Sequence, residues 1–221
     1  MVFHCSQQEC TREKSDVQYG EMIMYDREYY GRYKRLRRKT RVRYTIGLAE
    51  ISKGKTLNFL DIGCGDGTYS EALERIGHKT VAIDSSPEAL YLARKRGISN
   101  CVLASATHLP VRSNIFDRTL LIDVFEHLLE PERTLSEIHR TLRPYGLLIL
   151  QTPNKMSIIS LILKDPTHQR IYAKDEVQQL LQSAHFKKVQ TMLTSFLSKT
   201  YPFNIALRRI FRSIIVATAR K

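Results

Sequence analysis

The chain has no apolar segment long enough to cross a bilayer. Its longest apolar-rich stretch, SIISLILK at residues 157–164, is far shorter than the ~20 residues that a spanning helix needs. The first ten residues, MVFHCSQQEC, lack the long apolar core of a secretion signal. We therefore expect a cytoplasmic protein, in which the apolar stretch packs on the core or covers a cavity for an apolar substrate.

Cysteine is scarce, with four residues in the chain. Without a secretion signal, four cysteines favour free thiols in a reducing compartment. His4, Cys5 and Cys10 lie close in sequence, but a structural zinc site needs four ligands and no second pair follows nearby. We expect no metal site.

Acidic residues are scarce at both ends of the chain. The net charge is +13; residues 1–55 hold 13 Lys and Arg against 7 Asp and Glu, and residues 196–221 hold 6 against none. The middle is nearly neutral, with 16 basic against 15 acidic residues over 56–195. A basic surface for an anionic membrane or for RNA, if the protein has one, is therefore formed by the terminal segments.

After residue 55, short apolar runs alternate with helical patterns, which is typical of βαβ units on a parallel sheet. Residues 194–211 have weak helical character, so the last two strands are expected to form a long hairpin. We assign residues 1–55 to a basic helical extension and 56–221 to one α/β domain. The pattern predicts strands at 56–62, 79–84, 100–104, 116–123, 146–152, 188–193 and 212–219, and helices at 68–77, 85–97, 131–142 and 174–186.

Residues 27–51 predict a long N-terminal helix. Tyr29, Tyr33, Thr40, Tyr44 and Leu48 recur at helical spacing, and this spacing predicts the packed face. The remaining faces carry eight Lys and Arg between positions 32 and 43. These side chains either form a solvated face or, with the interleaved tyrosines, a surface for RNA phosphates and bases.

The stretch LDIGCGDGTYS, residues 60–70, has three glycines in five positions. A glycine-rich turn between a strand and a helix exposes backbone N–H groups and lets a nucleoside approach the chain. A nicotinamide dinucleotide fingerprint starting at Gly63 would place its third glycine at position 68, which is Thr68. The loop is therefore better matched to S-adenosylmethionine. Asp84, at the end of the second strand, is placed to accept from a ribose diol with either cofactor.

The motifs LDIGCGDG, VAIDSS, LPVRSNIFDRTLLIDVFEHL and LRPYGLLIL resemble class I S-adenosylmethionine-dependent methyltransferases, and within them the ubiquinone and menaquinone biosynthesis group. The resemblance covers roughly residues 57–152 and implies a Rossmann-like sheet of seven strands, mostly parallel, with a final antiparallel strand and helices on both faces. It implies S-adenosylmethionine as the cofactor.

The resemblance also implies a role for each cofactor-binding residue. The motif residues Asp61, Gly63 and Gly65 would hold the methionine part, with Cys64 filling space between the glycines. Asp84 would bind the ribose and Asp123 would lie near the transferred methyl. Ser85, Ser105 and Ala106 would lie along the adenine.

Ser105 departs from the family pattern, which has an acidic residue at this position. A serine hydroxyl still accepts a hydrogen bond from the adenine amino group, but without the charge that strengthens such a bond roughly twofold. We therefore expect a weaker contact at the adenine.

The acceptor side of the site is less determined by the sequence. His127 is the candidate general base for a hydroxyl acceptor, with Glu126 orienting it and Asp123 beside the methyl. His168 and Tyr30 are candidate substrate contacts. Each of these residues could instead have a purely structural role.

Three functions remain open from the sequence. The first is methylation of a small apolar or lipid-like acceptor, of prenylated quinone or isoprenoid type, with the basic ends on an anionic membrane. The second is RNA methylation; motifs for base amines such as N-P-P-Y are absent after the fourth strand, but other RNA positions remain possible targets. The third is a cofactor-binding subunit without catalysis.

Overall fold

A computed structural model describes residues 38–52, 54–157, 165–194 and 213–221. Several sequence-based predictions fall outside these ranges: Tyr30, Cys5 and Cys10, the first part of the N-terminal helix, and most of the SIISLILK stretch. Within the described ranges, no helix combines the length and the apolar character needed to span a membrane.

The described chain forms one seven-stranded sheet in the order β3-β2-β1-β4-β5-β7-β6. The pairs of β1 with β2 and β4, of β2 with β3 and of β4 with β5 are parallel. Strand β7 is antiparallel to both β5 and β6. The strands are β1 (Asn58–Ile62), β2 (Lys79–Asp84), β3 (Cys101–Leu103), β4 (Phe116–Ile122), β5 (Leu142–Pro153), β6 (Lys187–Thr194) and β7 (Ile214–Arg220). The predicted seven-stranded sheet with a final antiparallel strand is confirmed.

The helices follow the predicted pattern. They are α1 (Arg38–Leu48), α2 (Thr68–Arg75), α3 (Pro87–Lys95), a 3₁₀ turn (Phe125–His127), α4 (Pro131–Thr141) and α5 (Lys174–Ser183). Ser86 caps α3 through its side chain, which accepts from Ala89 N at 3.2 Å. Strand β5 begins four residues earlier than predicted, because α4 ends at Thr141 and the chain is extended through Pro144.

The core occupies both faces of the sheet. Neighbouring residues of a strand point to opposite faces, so Leu60 joins the larger core cluster while Phe59 joins a second one. The second cluster also contains Ala49, just after α1, and Leu73 of α2. Helix α1 thereby lies over the face that α2 covers.

The packed face of α1 differs from the prediction. The buried residues are Val42, Thr45 and Ala49, whereas Thr40 is exposed and Tyr44 is only partly buried. With this face buried, Arg41, which belongs to the run of basic residues, points toward the carboxyl ends of the strands.

Candidate active site

The glycine loop between β1 and α2 is shaped by left-handed backbone. Gly63, Gly65 and Gly67 have φ of 65°, 55° and 74°, a region that L side chains rarely adopt. A Cβ on Gly63 would lie 2.2 Å from Val124 Cγ2, in the loop after β4. A Cβ on Gly67 would lie 2.9 Å from Ala93 Cβ on α3. The glycines therefore allow both the turn and the close approach of its neighbours.

Asp61 lies inside β1 just before this loop, with 2% of its surface exposed. Its Oδ2 accepts a hydrogen bond from Ser70 Oγ at 2.7 Å. Burial raises the pKa of Asp61 to about 6, the Ser70 bond counteracts part of that rise, and Asp84 adds to it. The loop is thus electronegative, which suits a cationic ligand.

Asp84 ends β2 and faces the same loop. Its two carboxylate oxygens accept from Gly65 N and from Ser86 N, each at 2.9 Å. Burial raises the pKa of Asp84, and the backbone hydrogen bonds lower it in part. Asp84 therefore fixes the glycine loop against the start of α3, in addition to the ribose contact that the sequence predicts.

The remaining predicted cofactor residues differ in accessibility. Cys64 is buried beside Ala82 and Leu90, and burial raises the pKa of its thiol; its role as a space-filling residue remains a prediction. Ser85 and Ser105 are exposed. Ser105 Oγ accepts from Thr107 N at 3.2 Å. Ala106 follows it in the loop after β3.

Asp123 follows β4 with a φ of 55°, and its carboxylate forms an ion pair with Arg41. Arg41 Nη2 lies 2.5 Å from Asp123 Oδ1, and Arg41 Nε donates to Gln151 Oε1 at 3.0 Å. Gln151 in turn donates to Thr45 Oγ1 on α1. Burial alone would lower the pKa of Arg41, but the charge of Asp123 raises it above the ordinary value. Local sequence pattern does not indicate this contact, because Arg41 is one of eight basic residues in the run.

Glu126 lies in the 3₁₀ turn after β4 and is 1% exposed. Its Oε2 accepts from Thr152 Oγ1 at 2.9 Å. Burial raises the pKa of Glu126, and the charge of Asp123 raises it further. Glu126 is hydrogen-bonded to β5 and its carboxylate lies within 4.8 Å of a ring nitrogen of His127. The expectation that Glu126 orients His127 stays a prediction, and a second residue contacts the ring.

Thr167 is that residue. His127 Nδ1 lies 3.1 Å from both the backbone oxygen and the hydroxyl oxygen of Thr167. The ring of His168 meets the ring of His127 edge-on, with centroids 4.9 Å apart. The structure thus brings His168 to the candidate base, and its contact with a substrate remains a prediction.

Glu126, His127 and His168 each place one ligand atom within 4.8 Å of the others. Within the described ranges, these three side chains are the group that could reach a common ion. The sequence-based expectation of no metal site is not tested by this arrangement and remains a prediction.

Residues 60–150 match the family described as "Methyltransferase domain". A ubiquinone biosynthesis O-methyltransferase from Parvibaculum lavamentivorans is 32% identical over 127 residues, which cover 54% of this chain and 49% of that protein. The chain spans about half the length of the first curated relatives it matches.

Solved structures share the fold of this chain. A SAM-dependent methyltransferase from Archaeoglobus fulgidus aligns with a TM-score of 0.70 at 20% identity, over 89% of this chain and all of that one. The [4+2]-cyclase SpnF aligns with a TM-score of 0.63 at 23% identity, over 81% of each chain. The predicted Rossmann-like fold is confirmed, and because a cyclase shares that fold, the fold alone does not define the reaction.

Proposed function

We propose that this chain is an S-adenosylmethionine-dependent methyltransferase that methylates a hydroxyl group of a small apolar, quinone-type acceptor. The observation that carries the proposal is the placement of two features at the carboxyl ends of neighbouring strands. The electronegative glycine loop follows β1, and the His127 imidazole follows β4, its neighbour in the sheet. Ligands of open α/β sheets bind at this edge.

The residues of the loop fit the cofactor. Carboxylates at Asp61 and Asp84 suit its ammonium group, its sulfonium and its ribose hydroxyls. The missing Cβ atoms at Gly63 and Gly67 let Val124 and Ala93 pack against the loop, which holds the loop in the shape that brings the two carboxylates together. Arg41, a cation whose side chain is 19% exposed, is the candidate partner for the carboxylate of the amino-acid tail.

When bound, the cofactor supplies a methyl group on a positively charged sulfur. The chain has to align the acceptor oxygen and exclude water, and proximity can contribute up to ~7–11 kcal/mol toward the barrier. His127 takes the proton from the acceptor hydroxyl. Thr167 fixes the orientation of its ring, and Asp123 lies at the end of β4 where the reaction takes place.

The quinone-type acceptor is supported by the relatives, which are named as ubiquinone biosynthesis O-methyltransferases at about one-third identity. The case for RNA methylation depends on the run of basic residues forming a phosphate-binding face, and one of these residues is used elsewhere. Arg41 belongs to the basic run, yet it pairs with Asp123 inside the site rather than contributing to an outer phosphate-binding face.

The test is transfer of a radiolabelled methyl group from S-adenosylmethionine into separated pools. The wild-type chain is incubated with a prenylated catechol, with total lipid, with total RNA and with protein; Asp61→Ala is the control for cofactor-dependent labelling. Labelling of the catechol and of the lipid pool supports the proposal. Labelling of RNA alone identifies the second function. Cofactor binding without labelling of any pool identifies a non-catalytic subunit.

We also propose that the basic terminal segments hold the enzyme on an anionic membrane, where each Lys or Arg contributes ~1 kcal/mol. Co-sedimentation with vesicles containing anionic lipid tests this contact, because binding should decline as the salt concentration rises. Equal binding to neutral vesicles would contradict it.

A further inference from the structure

We propose that Asp165 is a positioning residue for His127: through Thr167 it holds the imidazole in the tautomer that carries hydrogen on Nδ1. Nε2 is then left with a lone pair to accept a proton. The catalytic consequence rests on the proposed function, whereas the tautomer itself follows from hydrogen-bond geometry alone.

Asp165 fixes the hydroxyl of Thr167. Asp165 Oδ1 accepts from Thr167 N at 2.9 Å and from Thr167 Oγ1 at 2.6 Å. Burial raises the pKa of Asp165, but the hydrogen bonds from Thr167 outweigh that effect and leave it below its ordinary value. An ionised carboxylate only accepts, so the hydroxyl hydrogen of Thr167 points to Asp165.

This direction determines the protonation of His127 Nδ1. The Thr167 hydroxyl has donated its hydrogen to Asp165, so its oxygen presents lone pairs to the ring at 3.1 Å. The backbone oxygen of Thr167, also at 3.1 Å, is an acceptor as well. Both neighbours accept, so Nδ1 has to donate. In the neutral ring the hydrogen is then on Nδ1, and Nε2 is free of it.

The segment that carries Asp165 and Thr167 is hydrogen-bonded to the 3₁₀ turn that carries His127. The backbone N–H groups of Gln169 and Arg170 donate to the backbone oxygen of Glu126 at 2.9 and 3.1 Å. The His168 ring packs against His127 from the same segment. The hydrogen bonds from Asp165 through Thr167 to His127 therefore connect two segments that are 40 residues apart in sequence and that are also joined through their backbones.

The hydrogen bonds from Asp165 through Thr167 to His127 account for the proton that the proposed reaction releases. The acceptor oxygen forms a bond to the methyl carbon, the bond from that carbon to sulfur breaks, and its electron pair stays on the sulfur. The hydroxyl proton moves to His127 Nε2. The imidazolium keeps its Nδ1 hydrogen on the Thr167 oxygens, and the negative charge of Asp165 stabilises it before the proton passes to water.

The test measures the tautomer directly, by ¹⁵N–¹H correlation of the histidine rings in the full cofactor-free chain, with His127→Gln identifying the signal. We expect hydrogen on Nδ1 in the wild type. In Asp165→Ala the Thr167 hydroxyl can donate to Nδ1 in competition with the hydrogen bond from Nδ1 to the backbone oxygen, so we expect a mixture of tautomers. Asp165→Asn keeps an oxygen acceptor for Thr167 and should restore the wild-type pattern.

Kinetics give the second readout. Asp165→Ala should lower kcat about tenfold or more with little change in KM, and Asp165→Asn should recover most of the rate. S-adenosylhomocysteine binding should be unchanged in both variants, which also shows that they fold. The matched control is Asp175→Ala, a carboxylate on α5 with 82% of its side chain exposed.

Two results overturn the inference: a wild-type His127 with its hydrogen on Nε2, or an Asp165→Ala variant whose tautomer and kcat match those of Asp175→Ala. Failure of the proposed function looks different. The wild-type chain would then label no hydroxyl acceptor, while its histidine spectrum still showed hydrogen on Nδ1 and its response to Asp165→Ala.

Discussion

Arg41 on helix α1 forms an ion pair with Asp123 at the end of β4, with Nη2 and Oδ1 2.5 Å apart. The two residues are 82 positions apart in sequence. Arg41 also binds Gln151 on β5, so one side chain connects the N-terminal helix to two neighbouring strands. The helix is therefore part of the site and not only an extension of the domain.

Arg41→Gln should weaken binding of S-adenosylhomocysteine by roughly 10- to 100-fold, the range for losing a charged hydrogen bond of ~1.5–3 kcal/mol. 5′-Methylthioadenosine lacks the amino-acid tail, so its affinity should change far less. Isothermal titration of both ligands checks the difference. Arg43→Gln, at an exposed position two residues along the same helix, is the control. Equal losses of affinity for the two ligands would show that Arg41 does not bind the carboxylate of the amino-acid tail.

Gly63→Ala should abolish cofactor binding, because its Cβ would meet Val124 Cγ2 at 2.2 Å in addition to the strain of a positive φ. Gly77→Ala is matched to it, with a φ of 90° and no atom within 4 Å of the added Cβ. We expect Gly77→Ala to lose about 1 kcal/mol of stability, the typical cost of left-handed backbone, and to keep its affinity. Thermal unfolding and titration calorimetry separate the two effects. Wild-type affinity in a folded Gly63→Ala variant would contradict the loop geometry.

Asp61 should destabilise the cofactor-free chain as the pH rises. Its folded pKa is about 6 against a usual 3.8, so the folded state binds the proton more tightly than the unfolded state. The resulting stability is complete below about pH 3.8 and is lost as pH rises through 6. A shift of about two units corresponds to roughly 3 kcal/mol.

The side chain introduced by Asp61→Asn cannot ionise, so this variant does not lose stability as the pH rises through 6. Relative to the wild type, its free energy of unfolding should increase by roughly 1–3 kcal/mol between pH 4 and pH 7.5. Urea unfolding at several pH values measures the difference. Asp175→Asn reports the effect of removing an exposed carboxylate. A difference between Asp61→Asn and the wild type that stays constant with pH would show that Asp61 is not held protonated by burial.

The sheet was predictable because its signals are local. Strand β2 begins and ends at the predicted residues, Lys79 and Asp84, since an apolar run there is bounded by turn residues. The pairing of β6 with β7 followed from a link with too little helical pattern for a buried crossover. The glycine loop was predictable for the same reason, because its residue types are required by the backbone itself.

The contacts of the acceptor side were not predictable from local pattern. Helical spacing on α1 does not show which of the eight basic residues points into the site. Arg41 does so because it binds Asp123 and Gln151, which lie on strands distant in sequence. His127 was identified as a candidate base, but its partner Thr167 lies 40 residues along the chain. Glu126 was the nearer candidate in sequence, and its carboxylate also accepts a hydrogen bond from Thr152 on β5, which no local pattern indicates.

We propose that residues 60–84 form a site for a charged sulfur nucleoside. Isothermal titration of the purified full chain with S-adenosylmethionine and S-adenosylhomocysteine tests it most directly, with NAD as the competing ligand. We expect saturable binding of both sulfur nucleosides at one site per chain and no binding of NAD. Heat with NAD and none with either sulfur nucleoside would contradict the account.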